Sequence, residues 1–246
     1  MSLRPPHLHL LCALTLLTLA ACDRDPAGPD ATHTPRARAA VATTTLTPRA
    51  MVTAGDLHTC ALKVDGTVVC WGSNENGQLD VPAGLGAVAQ VSAGSFHTCA
   101  VKTDGAAACW GANDFEFGQT SVPAGLGAVA QVSAGYFHSC AAKADGAVAC
   151  WGDNAAHQLN VPAGLAGVVQ LSAGFAHSCA LGVGGAVTCW EYDGWGQVSV
   201  PAGLAGVVQL SVGNYHSCVL RADGTVACGA VAGSSCSSSR TARSTA

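Results

Sequence analysis

The sequence predicts an all-β fold, a β-propeller of about five four-stranded antiparallel blades. Three observations carry that prediction. One phrase, A-G-x-x-H-[T/S]-C, with Val212 in place of the alanine in the last copy, recurs five times with a period of 39 residues, once stretched to 41. A period in that range marks a solenoid, propeller or array. A second cysteine follows the first by ten residues in every copy, across a glycine-containing turn. Turn residues punctuate each copy every eight to ten residues, which is the spacing of short antiparallel strands.

The first copy, AGDLHTCALKVDGTVVCWGSNENGQLDVPAGL, shows why each element is expected. Residues 60–63 and 67–71 flank Val64-Asp65-Gly66, and a three-residue loop with glycine in the left-handed position is a common hairpin solution. That register sets Cys60 opposite Cys70. The same spacing pairs Cys99 with Cys109, Cys140 with Cys150, Cys179 with Cys189 and Cys218 with Cys228. Directly opposed cysteines suit a disulfide where the compartment is oxidising. The alternative is metal, with His58, Cys60 and Cys70 as ligands, but the short Cys-x-x-Cys knuckle of structural zinc sites is absent. The expectation is five disulfides, no metal and no cofactor. Two further strands are expected per unit: Gln-Leu-x-Val-Pro, as at Gln78 to Pro82, and the run into the next A-G, as at Ala87 to Ala93.

Before the repeats, Arg4 precedes an apolar run from Leu8 to Ala21, too short for a transmembrane helix and suited to a signal peptide over 1–21. The run ends Leu19-Ala20-Ala21-Cys22, which resembles a bacterial lipobox and implies lipid modification of Cys22; the alternative is a plain signal peptide. Residues 22–42 form a lipidated cysteine and disordered tether, rich in Pro, Ala, Arg and Asp. Residues 43–230 form the propeller, with repeats at 52–90, 91–131, 132–170, 171–209 and 210–230, and 231–246 form a disordered tail containing the unpaired Cys236. The chain is thus expected to be exported and held at a cell envelope by its lipid anchor alone.

Charge narrows the function. Between Val52 and Cys228 there are four Lys or Arg and twelve Asp or Glu, a net charge of −8. Nucleic acid needs a basic footprint, and anionic lipid headgroups repel this balance.

The strings A-G-x-x-H-T-x-A-L and D-G-x-V-x-x-W-G-x-N-x-x-G-Q-L, with Trp71-Gly72, Asn74 and Gly77-Gln78-Leu79 in order, resemble the regulator of chromosome condensation repeat. The resemblance spans the whole repeat region and implies a β-propeller, usually of seven blades with longer repeats in eukaryotic members. Bacterial exported relatives carry added cysteines like these. The fourth copy departs from the pattern, with Trp190-Glu191-Tyr192-Asp193-Gly194-Trp195 breaking the Trp-Gly phrase. The fifth stops after Cys228, with Gly229 in place of tryptophan and no Gln-Leu-x-Val-Pro. Thr44 to Pro48 resembles the missing strand and is expected to pair with the last blade and close the ring; the alternative is an incomplete arc.

Residues identical in every repeat usually serve the repeat itself. His58, His97, His138, His177 and His216 are therefore expected to hold turns, and Trp71, Trp110, Trp151 and Trp190 to pack between blades. Residues that vary at one fixed position of the unit are better candidates for recognition. The pair before each histidine supplies Leu57, Phe96, Tyr136, Phe137, Phe175 and Tyr215, and equivalent positions on successive blades share a face. Phe115, Phe117, Tyr192 and Trp195 lie in the lengthened or altered loops. Such an apolar, aromatic set marks a binding surface, unless these side chains tuck between blades. No nucleophile elbow, phosphate loop or carboxylate pair is present, so no catalytic residue and no enzyme is expected. The favoured function is an envelope platform for a protein or glycan partner. The alternatives are a guanine-nucleotide exchange factor, as the family's eukaryotic namesake implies, and an envelope lyase or hydrolase on a propeller scaffold.

Overall fold

The computed structural model describes residues 46–112, 117–194, 196–201 and 203–230. The signal peptide, Cys22, the tether, Thr44, Thr45, Phe115, Trp195 and the tail with Cys236 lie outside the described residues.

Among the described residues, fifteen strands form five antiparallel sheets, each of three strands in sequence order. The first holds β1 (Met51–Ala54), β2 (His58–Leu62) and β3 (Val68–Gly72). The second holds β4 (Val88–Ala93), β5 (His97–Lys102) and β6 (Ala107–Gly111), and the third β7 (Val129–Ala134), β8 (His138–Lys143) and β9 (Val148–Gly152). The fourth holds β10 (Val168–Ala173), β11 (His177–Gly182) and β12 (Val187–Glu191), and the fifth β13 (Val207–Val212), β14 (His216–Arg221) and β15 (Val226–Ala230). Successive sheets pack against one another as blades.

The hairpin register is the expected one: Cys60 faces Cys70 and Leu62 faces Val68, with Gly66 at φ +82° in the turn. All five opposed cysteine pairs are joined as disulfides. The first cysteine of each of the first four pairs is fully buried between its blade and the next.

Among the described residues each sheet stops at three strands, and the expected fourth strand does not form. Gln-Leu-x-Val-Pro alternates like a strand, but its N–H groups are used locally: Leu79 donates to Asn74 Oδ1 at 2.8 Å and Asp80 to the Gly77 carbonyl at 3.1 Å. Pro82 has no N–H to offer a ladder. The segment acts as a wedge instead. Val81 and Leu85 fill the core between the first two blades, beside Leu62, Val88, Val91 and Trp110.

The same polar staple joins each blade to the next. His58 Nε2 lies 2.9 Å from Thr98 Oγ1, and the Thr98 hydroxyl donates to the Gln78 carbonyl at 3.1 Å. The threonine oxygen must then accept, so His58 carries its proton on Nε2. Trp110 Nε1 donates to the same Gln78 carbonyl at 3.1 Å. His97–Ser139, His138–Ser178 and His177–Ser217 repeat the contact at 2.8, 2.9 and 3.0 Å. Glutamines on the first strands add a two-way bond to the next blade's backbone. Gln90 Nε2 donates to the Val132 carbonyl at 3.0 Å, and Val132 N–H returns to Gln90 Oε1 at 2.9 Å.

The ends of the series differ from its middle. Trp110, Trp151 and Trp190 are 5–6% exposed, whereas Trp71 on the first blade is 50% exposed. His216 on the last blade is exposed, unlike its four buried counterparts. Among the described residues no wedge covers the tryptophan of the first blade, and the fifth copy carries no Gln-Leu-x-Val-Pro after Cys228 that would do so. The described part of the N-terminal segment, Leu46 to Pro48, does not pair with the last blade as the sequence of Thr44 to Pro48 suggested. Leu46 N–H donates to the Thr103 carbonyl at 3.1 Å, its side chain packs on the core between the second and third blades, and Pro48 lies against Gly66. The apolar socket beside Val129 and Trp151 claims Leu46, so the segment lies along the first two blades.

Candidate functional site

The A-G-x-x-H turn joins the first strand of each blade to the second. Its glycine N–H donates to the histidine carbonyl, at 2.8 Å from Gly55 to His58 and 2.9 Å from Gly94 to His97. The two variable residues therefore stand at the tip of a closed turn. The turns also grip one another: Ser95 N–H donates to the Gly135 carbonyl at 3.1 Å and Tyr136 N–H to the Gly174 carbonyl at 3.0 Å. Glycine is required at this approach, because a Cβ on Gly94 would lie 2.4 Å from the Gly135 oxygen. The Ala-Gly pairs of the first four blades and Val212-Gly213 of the fifth line one cavity of about 260 Å³.

Stacking of these turns brings the aromatic residues together. Phe96 meets Tyr136 edge-on at 5.0 Å between ring centres and stacks on Phe137 at 5.4 Å. Tyr136 meets Phe175 at 4.4 Å, and Phe175 meets Tyr215 at 5.5 Å. Phe117, from the loop after the second blade, adds to Phe137 at 4.8 Å. A continuous aromatic run thus crosses the second to fifth blades, with most of its rings half-buried rather than swallowed by the core. Leu57 stands apart on the first blade, 62% exposed.

Beside this run lies a cleft of about 460 Å³. Phe117, Tyr136, Phe137, Phe175 and Tyr192 supply its rings, and Asp153 its one carboxylate among the described residues. Asp153 is held by Ala155 N–H at 3.0 Å and Gln158 Nε2 at 2.8 Å. Ala155, Ala156, Gln158 and Ala176 complete the lining. Sequence reasoning missed this third-copy loop; its signal was the pair of alanines standing where the first copy has Glu75-Asn76. His157 takes the glycine place there at φ +68°, matching Gly77 at +70°.

Charge is divided between the two ends of the blades. The described Lys63, Lys102, Lys143 and Arg221 all sit at the β2–β3 type of hairpin end, next to Asp65, Asp104, Asp145 and Asp223. Two of these neighbours are paired, Lys102–Asp104 at 3.0 Å and Lys143–Asp145 at 3.4 Å. The aromatic end holds Asp56, Glu75, Asp80, Asp153, Glu191 and Asp193 and, among the described residues, no Lys or Arg. Glu191 occupies the place of Gly72, Gly111 and Gly152, at φ +100°. Burial pushes its carboxyl up to about 8, so it is largely protonated at neutral pH.

The histidines beneath this surface are committed to structure. Burial lowers His97 to about 3 and His138 and His177 to about 4, each also repelled by a neighbouring histidine. They are neutral inter-blade donors at physiological pH.

Repeated three-stranded blades joined side by side define a protein of the β-propeller class. Residues 52–78, 88–119, 129–158 and 207–228 match the model of the regulator of chromosome condensation (RCC1) repeat, and the chain carries repeats of that family. The unmatched interval contains the copy in which Glu191-Tyr192 breaks the Trp-Gly phrase. Among solved structures, the ectodomain of the Physcomitrella patens receptor kinase CR4 is 26% identical, with a TM-score of 0.60 over 73% of this chain and 50% of that one. The CRINKLY ectodomain of the Arabidopsis thaliana receptor kinase ACR4 is 24% identical, with a TM-score of 0.60 over 73% and 64%. Prp20p from Saccharomyces cerevisiae, studied for its binding to Gsp1p and histones, is 20% identical, with a TM-score of 0.61 over 72% and 56%. The chain spans between half and two thirds of the length of these structures. No curated protein matches it in sequence.

Proposed function

We propose that this protein is a non-enzymatic, exported platform that binds a partner protein through the aromatic end of its blades, and that lipid on Cys22 tethers it to a bacterial envelope membrane. The observation that carries the proposal is the continuous aromatic run across four blades, opening into a ring-lined cleft at the acidic end. Side chains needed only for packing would be closed between blades, as Trp110, Trp151 and Trp190 are. Half-buried aromatic residues that vary between copies suit recognition. Five disulfides fit an oxidising, exported location. A relative in this fold with protein partners, Prp20p, supports a protein as the ligand.

The test is capture from envelope extract with an oxidised, soluble copy carrying Cys22→Ser, beside a second copy in which Phe96, Tyr136, Phe137, Phe175 and Tyr215 are each changed to Ser. A specific partner is expected on the first and reduced at least tenfold on the second, with both copies showing the same β-sheet circular dichroism. Equal capture by both folded copies would end the proposal for this face. A captured glycan in place of a protein would keep the face and change the partner.

A further inference from the structure

We infer that the cleft between Phe117, Tyr136, Phe137, Phe175 and Tyr192 is a cage for an organic cation, and that its occupant is the guanidinium of an arginine presented by the partner protein. The inference rests on the binding role proposed for this face and names the chemistry it recognises. Aromatic rings carry negative potential on their faces, and a cation held over them is attracted most strongly where water is excluded. Five rings line one volume of about 460 Å³, room for an arginine side chain with space to spare. Asp153 lies in the same lining. Its two described hydrogen bonds, from Ala155 N–H and Gln158 Nε2, use about half of a carboxylate's acceptor sites and fix its direction.

The surroundings favour the same sign. The described Lys and Arg of the blades are at the hairpin end, about 17 Å away along five-residue strands. Asp56, Glu75, Asp80 and Asp193 share the cleft's end, so the field draws a cation in and repels an anion. An uncharged sugar would gain ring contact but nothing from this field. Arginine suits the cage better than lysine, because the planar guanidinium stacks on rings, is weakly hydrated, and can donate two bonds to one carboxylate.

The experiment uses the full chain, purified oxidised in mild detergent, and titrates three probes by calorimetry. They are an end-blocked Gly-Arg-Gly peptide, its citrulline counterpart of equal shape and no charge, and a neutral amino-sugar tetrasaccharide. Arginine is expected to bind roughly tenfold tighter than citrulline. Asp153→Asn, which keeps the acceptor for Ala155 N–H and gives up the bond from Gln158 Nε2, should remove most of that difference without changing the citrulline affinity. Tyr192→Ser, at a ring 46% exposed, should weaken arginine binding. Equal affinity for citrulline, binding of the sugar alone, or no binding of arginine at about 50 mM would each overturn the arginine cage. Loss of partner capture by the five-aromatic variant, with no arginine preference, would sink this inference alone and leave the binding face standing.

Discussion

Reduction of the five disulfides is expected to unfold the protein at 37 °C. Each closes a ten-residue loop, and the loop-closure model assigns about 2.5–3 kcal/mol to a bond of that span. Five such contributions rival the whole stability of an ordinary domain, roughly 5–15 kcal/mol. The rest of the core offers little to replace them. It is built from Val, Ala, Leu and three buried tryptophans, with the first cysteine of each of the first four blades among its fully buried residues. The check is a melting curve followed by far-ultraviolet circular dichroism, with thiols counted before and after a phosphine reductant. The buried sulfurs make reduction slow in the folded state, so mild denaturant is needed to complete it. An unchanged melt with all bridges shown to be open would refute this account of the core.

Acid is expected to destabilise the protein well above the range in which its carboxylates titrate. His97, His138 and His177 sit at about 3, 4 and 4 in the fold, against 6.5 when free. An unfolded chain therefore takes up protons below pH 6.5 that the folded chain refuses, and unfolding gains from each one. Above that pH the cost vanishes; below it the cost grows until the folded values are reached. At pH 5 it comes to about 2 kcal/mol for each of the three. Asp65, Asp104, Asp145 and Asp223 are held below 3.8 by hydrogen bonds from the residue two places on, so their loss belongs to lower pH. Melting temperature should fall steadily from pH 6.5 to 4.5. A flat profile there would show that these histidines are not held neutral between blades.

Much of this fold is legible in the sequence because its rules are local. Cysteine spacing and a left-handed glycine at Gly66 or Gly105 fix the hairpin register, and the repeat fixes how many blades there are. What the sequence hid depends on contacts between repeats. Gln78 to Pro82 alternates like a strand, yet its carbonyl and N–H groups serve the next blade's tryptophan and its own turn. Leu46 to Pro48 looks like a closing strand, yet Leu46 is drawn into a socket near Trp151. The aromatic residues could be placed on one face from their shared position, but not in contact. Their touching follows from the Ser95–Gly135 and Tyr136–Gly174 bonds, which set the distance between turns. Asp153 and Ala155 joined the cleft unannounced, since one lies in an ordinary turn and the other is distinguished only by being small. Glu191 breaks the pattern visibly in sequence, whereas its left-handed backbone and buried carboxyl emerge only in the fold.

The most direct measurement of the central claim is a map of the partner's position by photo-crosslinking in intact cells. A photoreactive residue is placed in turn at Phe117 and Tyr192 on the aromatic end, and at Val64 and Val183 on the hairpin end, where both are more than 70% exposed. The account predicts a discrete crosslinked protein from the first two positions and none from the last two. Crosslinks from Val64 or Val183 with none from Phe117 and Tyr192 would contradict it and move the binding surface to the opposite end of the blades.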